Sequence, residues 1–275
     1  MRTRLVVLAG LLALTACGQR QDAVGPPAPQ LPDDGDALVL RVAVGGGFAP
    51  AGTAPTELPA VSVYRDGRVL SNGPVIAIYP APAWPNVQVN RVDEDTLAEL
   101  VQAAQDAGVA GTADLGDPQI ADARTTSITL ATADGTDTRD VYALTEAVGD
   151  PSLTDEQATA RQDLADLVDR LLALTESEPL GRYTPTAVAA FASAYVPGDP
   201  ALVRDPVAWP GPPLPGEAVT PDVGCALATG EQAAALVTAA QAADTVTPWT
   251  DGAGTWTVVF RPLLPDETGC DDVTG

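Results

Sequence analysis

A chain of 275 residues with 37 acidic and 14 basic side chains has a formal charge of −23 and a pI near 4.1, which excludes nucleic acid as a partner and repels the folded part from anionic lipid headgroups. It has no histidine and no lysine, so Ser-His-Asp and Cys-His catalysis, His-ligated zinc, a P-loop lysine and Schiff-base chemistry are excluded as well. No metal-ligand or cofactor-binding pattern is present, and none of either is expected.

Arg2 and Arg4 give the chain a positive start, an apolar run follows over residues 5–14, and small residues lead to Cys17. That order is a secretory signal peptide over residues 1–16. The run is too short to cross a bilayer, which takes about twenty apolar residues. Leu14-Thr15-Ala16-Cys17, followed by Gly18, resembles the lipobox of bacterial lipoproteins. The resemblance implies cleavage before Cys17, a diacylglyceryl group on that cysteine, and anchorage to the extracytoplasmic face of a cell membrane. The alternative is an ordinary cleaved signal whose cysteine is incidental. Two acyl chains give durable attachment, because each buried methylene contributes about 0.8 kcal/mol and one chain alone is marginal. Residues 17–36 then form a lipidated, proline-rich tether, able to hold the body on the order of 50 Å from the bilayer when extended. Asp33, Asp34 and Asp36 faintly resemble a calcium loop but lack its later bidentate Glu, so a solvated linker end is expected.

From Ala37 the pattern turns to short strands. Residues 38–44 (LVLRVAV) read as the first, and 61–64 and 68–70 flank Asp66-Gly67, a strong hairpin signal. Residues 75–79 read as a continuation of the meander, and 87–92 as a further strand. Asp93 is an N-cap for a helix through Ala107, with Leu97, Leu100, Val101 and Ala104 on one face and Gly108 ending it. A second hairpin is expected from 126–132 and 138–144 around Asp134-Gly135. A second helix follows Thr154, whose Thr-Asp-Glu-Gln run is a capping box, and buries Leu164, Leu167, Val168, Leu171 and Leu172. The DGRV stretch, the capped helix and ADARTTSITL together resemble small uncharacterised β-rich domains of bacterial envelope proteins, a resemblance that implies no activity.

After Gly181 a second unit starts. Residues 185–196 are Ala-rich, and alternation with Phe191 and Tyr195 favours a strand over a short helix. A proline-rich loop holds Trp209; then come a strand near 225–228, a helix capped by Thr229 with Gln232 at N3, and a strand at 255–261. In an exported chain, Cys225 and Cys270 read as one disulfide. LVQAAQDAG at 100–108 and LVTAAQAAD at 236–244 echo each other, as two related strand-helix-strand units or as two Ala-rich helices alike by chance.

Trp84, Trp209 and Trp249 lie in Pro- or Gly-rich loops and are candidate ligand contacts for a peptide or a sugar face. The competing reading, favoured by the scarcity of aromatics, is that each packs beneath its own loop. Trp256 is the fourth. For catalysis without His or Lys, two carboxylates must converge at about 5–9 Å. Asp222, Asp251, Asp266 and Glu267 are the candidates, against a solvated acidic face. The expected architecture is α+β: two small antiparallel-sheet units, each with a packed helix, over 37–180 and 181–275, the second stapled by the disulfide. The expected function is that of a membrane-anchored lipoprotein, a non-enzymatic binding or envelope-structural module whose partners are the bilayer and an envelope protein or glycan. A carboxylate-based hydrolase acting on a cell-wall polysaccharide is the alternative.

Overall fold

A computed structural model describes residues 30–47 and 56–274. In chain order the first part forms β1 (Leu38–Gly45), β2 (Val61–Tyr64), β3 (Arg68–Asn72), β4 (Val87–Arg91), α1 (Glu94–Asp106), β5 (Thr125–Thr132), β6 (Gly135–Tyr142), α2 (Asp155–Ala173) and β7 (Gly181–Arg182). The seven strands make one antiparallel sheet in the order β6-β5-β1-β2-β3-β4-β7. The chain meanders from β1 to β4, crosses through α1 to the far side of β1, and returns through α2 to pair β7 with β4. Both helices share a single core with Leu40, Val42, Val61, Val63, Val69, Ile128 and Leu130. A bulge between Leu38 and Leu40 resets the alternation of β1, so that Leu38 and Arg41 both lie on the sheet's other face.

Local chemistry explains both helices. Asp93 Oδ1 accepts the Thr96 N–H at 2.8 Å, and Leu97, Leu100, Val101 and Ala104 are buried. At the other end the Gly108 N–H donates to Gln105 and the Val109 N–H to Ala104, a Schellman closure sealed by buried Val109. For α2 the capping box is complete: Gln157 N–H to Thr154 Oγ1 at 3.2 Å, and Thr154 N–H to Gln157 Oε1 at 2.9 Å. Its buried face adds Arg161 to Leu164, Leu167 and Leu171, with Val168 and Leu172 partly buried beside them.

In the β2–β3 turn Gly67 has φ +84°, and a Cβ there would sit 2.3 Å from the Val92 carbonyl oxygen. Gly67→Ala is therefore expected to destabilise by at least about 1 kcal/mol, read as a lowered urea midpoint. An unchanged midpoint would mean that the turn relaxes freely.

Two expectations fail here. Residues 75–79 are not a strand. β4 already pairs with β3 out to Asn72↔Val87, so the intervening segment has no edge to join, and Pro74 and Pro80 lack donors at both ends. The second hairpin turns at Ala133-Asp134, with Thr132 opposite Gly135, so β6 starts three residues earlier than expected. It ends at Tyr142, because Ala143 takes φ +50°.

The second part forms β8 (Ala187–Ala194), β9 (Val207–Ala208), β10 (Glu217–Thr220), β11 (Val223–Thr229), α3 (Gly230–Gln241), β12 (Trp249–Thr250), β13 (Thr255–Pro262) and α4 (Asp271–Thr274). The order is β10-β11-β8-β13-β12-β9, antiparallel except for β12 with β9. Residues 185–196 thus contain a central strand. Its Val188, Ala190 and Ala192 face α3, while Ala189 and Phe191 face Cys225, Leu263 and Cys270. The Cys225–Cys270 disulfide, with Cα atoms 6.3 Å apart, holds the C-terminal segment against that second face. The protein is α+β, with a disulfide-stapled second unit.

Thr229 is the expected N-cap of α3, with Gln232 at N3, but its side chain makes no cap bond; Gly230 begins the helix at φ +55°. The strands flanking α1 have three strands between them, and those flanking α3 have two, so the echoed helices sit in different topologies. The units interlock through residues 81–84: Ala83 N–H donates to Ala243 O, Thr245 N–H donates to Ala81 O, and Trp84 packs on Phe260.

Candidate binding groove and buried charge cluster

The tryptophans meet around one phenylalanine. Trp209 and Trp249 lie with centroids 5.6 Å apart, and both contact Phe260, at 6.0 and 5.6 Å. Trp249 is 1% exposed and Trp209 9%, and the Trp209 indole N–H donates to Pro212 O at 2.6 Å. Trp84, half-buried, lies 6.3 Å from Phe260. These three build the core under α3 and anchor the proline-rich loops above it. Trp256 differs. It is half-buried at the start of β13, its indole N–H bonded to Asp251 Oδ1 at 3.2 Å, and it lines an open groove of about 470 Å³.

That groove lies at the end of the second sheet, where β8 finishes and β11 and β13 begin. Ala194 and Trp256, directly opposite each other in the sheet, line it together with Ser193 on the next pleat and the 215–224 segment, which is its far wall with Thr220 and Asp222. The wall is placed by Gly216: at φ +83° a Cβ would lie 2.2 Å from Cys225 O, so only glycine lets the segment lie directly on β11. Val196 separates this groove from a second hollow of about 240 Å³, lined by Tyr79, Tyr195 and Thr257. Between them the two hollows, together termed the trough, are lined by Trp256, Tyr195 and Tyr79 and by Ser193, Thr220 and Thr257. The rim beside Tyr79 is apolar and open: Val75, Ile76, Ile78 and Tyr79 are 56–75% exposed.

Three of the four candidate acids are already held by donors of their own. Asp251 is held below the ordinary carboxylate range, first by the Trp256 indole and then by the N–H groups of Leu214, Ala253 and Gly254. Asp266 accepts from Arg41 at 2.7 Å and from the Tyr64 hydroxyl at 2.9 Å. Glu267 accepts from Arg261 at 2.8 Å and from the Leu264 N–H at 2.7 Å. Asp222 is exposed at the β10–β11 turn. Asp266 and Glu267 therefore belong to a charge cluster between the sheets, where Arg41 also bonds Ser62 and the Tyr183 hydroxyl bonds Leu263 O.

Burial, followed by the Asp266 charge, holds the Tyr64 phenol far above its ordinary value. Burial also pushes Tyr183 from about 10 up to about 12. The folded state thus keeps the Tyr183 proton more tightly than the unfolded chain. Its contribution is complete below the unfolded pKa and is lost as the pH rises from about 10 to about 12. Tyr183→Phe should flatten the loss of thermal stability across that window; an identical alkaline profile would show that Tyr183 contributes nothing there.

Cys17 lies outside the described residues. Among the described residues no helix is long and apolar enough to cross a membrane, and no group of three metal-ligating side chains is present. Sequence reasoning missed the groove, because Ser193, Thr220 and Trp256 come from three strands and share no spacing. The one signal was Trp256 itself, a large aromatic beside Gly254 at the start of a strand. No family model, no curated protein and no solved structure matches this chain.

Proposed function

We propose that this chain is an extracytoplasmic lipoprotein, anchored to a cell membrane through diacylated Cys17, whose body is a non-enzymatic module that binds a neutral envelope glycan. The observation that carries the binding reading is the pair of hollows that make up the trough, lined by Trp256, Tyr195 and Tyr79 and by the hydroxyl residues Ser193, Thr220 and Thr257. Aromatic faces suit the apolar faces of sugar rings, and hydroxyl groups suit their polar edges. The acidity of the body favours a ligand without negative charge. The Cys225–Cys270 disulfide supports an oxidising compartment, since such bonds are rare in cytosolic proteins. A carboxylate-based hydrolase needs two acids facing each other across the scissile bond. Asp251, Asp266 and Glu267 are each held by other partners, which leaves Asp222 beside the groove and favours binding over hydrolysis.

Cys17→Ala tests the anchor. Metabolic palmitate labelling should vanish, and the protein should leave the detergent phase or persist as uncleaved precursor. Equal labelling of wild type and variant would refute the lipoprotein reading.

A further inference from the structure

The loop between β3 and β4 combines two features that folding alone does not require. Val75, Ile76, Ile78 and Tyr79 are exposed by 70, 61, 56 and 75%, and Val196 and Val203, 77 and 54% exposed, join Tyr79 around the same hollow. A run of large apolar side chains left in water marks a contact surface. The second feature is charge. In a chain of net charge −23, no charged residue falls between Arg68 and Arg91 or between Arg182 and Asp199, and these two neutral stretches meet at Tyr79 and Val196. Among the described residues Asp199 is the one charged residue lining the hollow, and its Oδ1 accepts the Ala201 N–H at 2.9 Å.

We infer that this apolar rim dips into the interface of the lipid bilayer to which the chain is anchored, turning the mouth of the trough toward the membrane surface. The inference rests on the anchored reading above. The chain outside the described residues gives the reach. Gln30 O accepts the Ala133 N–H, so the tether joins the first sheet beside the β5–β6 turn. The β3–β4 loop leaves the same sheet at its opposite end. An eight-residue strand such as β1 spans about 26 Å, whereas the chain from Cys17 to Gln30 extends to about 40 Å. The tether therefore allows the rim to reach the bilayer that holds Cys17.

Tethering also sets how weak the contact can be. A short flexible linker gives an effective concentration in the millimolar range, so a contact too feeble to recruit free protein still orients the tethered body. A second copy is the poorer occupant, because two strongly acidic bodies repel each other, while a zwitterionic lipid surface does not. Tyr79 has the amphipathic ring that settles at headgroup depth, and the two isoleucines suit the acyl boundary beneath it.

The test uses the full acylated chain in phosphatidylcholine vesicles. With Cys17 lipidated and Cys225 bonded to Cys270, a cysteine introduced at Ile76→Cys is the one free thiol to take an NBD probe. The same label at Thr136→Cys, exposed beside the β5–β6 turn, is the control. The Ile76 probe should blue-shift and brighten severalfold on vesicles and be quenched by brominated lipid, and adding Ile78→Asp should remove most of the gain. The Thr136 probe should stay as in water. Equal, water-like emission from both probes on floated vesicles overturns the inference. Brightening that ignores Ile78→Asp, or that grows with protein density at fixed lipid, overturns it in favour of contact between copies. A chain that does not float with the vesicles overturns the anchored reading, and this inference with it.

Discussion

Glu267→Ala is expected to cost about 3–5 kcal/mol of folding stability, the range for removing one partner of a buried ion pair. The Arg261 and Glu267 side chains are 3% and 6% exposed and meet at 2.8 Å. Arg261 NH1 bonds the Pro262 carbonyl, and Nε has no partner among the described residues. Taking away the carboxylate leaves a guanidinium that burial already disfavours, with that one carbonyl as its remaining partner. It also orphans the Leu264 N–H, which donates to the second Glu267 oxygen. Asp266→Asn should cost less, because Arg41 and Asp266 are 18% and 20% exposed and water can replace part of the bond. The doubly apolar exchange Arg261→Met with Glu267→Leu should recover most of the loss, since the desolvation cost disappears with both charges. Urea unfolding of the four proteins measures this. A Glu267→Ala effect below about 1 kcal/mol would mean that the pair is hydrated in solution.

Replacing Cys225 and Cys270 by alanine is expected to lower stability by about 4 kcal/mol, the chain-entropy value for closing a loop of this length. The two cysteines are 45 residues apart, and Cys225 lies 3% exposed in β11, next to the central strand β8. The bond pins the segment that carries Asp266 and Glu267 back onto the sheet. The disulfide and ion-pair variants should therefore be non-additive, the combined loss falling short of the sum because they release the same segment. Non-reducing peptide mapping should find one cross-linked pair. Two free thiols in protein taken from its own envelope would contradict the pairing.

What the sequence revealed and what it hid divide along the range of the interactions. The caps at Asp93 and Thr154 and the stripe Leu97-Leu100-Val101-Ala104 lie within a few residues of the bonds they make, so they were legible. The disulfide was legible because two cysteines remain after Cys17. The Val75–Tyr79 segment reads as a strand because its apolar residues suit one, but whether a strand forms depends on a free neighbouring edge. Nor could the sequence show that Trp209 and Trp249 converge on Phe260, or that Arg41 meets Asp266 across most of the chain, since only the assembled sheets bring them together. The two-residue strands β7, β9 and β12 have no pattern of their own and exist because a longer neighbour offers them an edge.

The most direct test incubates the purified protein with immobilised peptidoglycan and wall polysaccharides, scoring retention and new reducing ends together. A module that binds through the Trp256 groove predicts saturable retention that drops at least tenfold in Trp256→Ala, about the loss of one well-packed aromatic contact, with no release of reducing ends. Release of reducing ends that disappears in Asp222→Asn, or retention indifferent to Trp256→Ala, would contradict it.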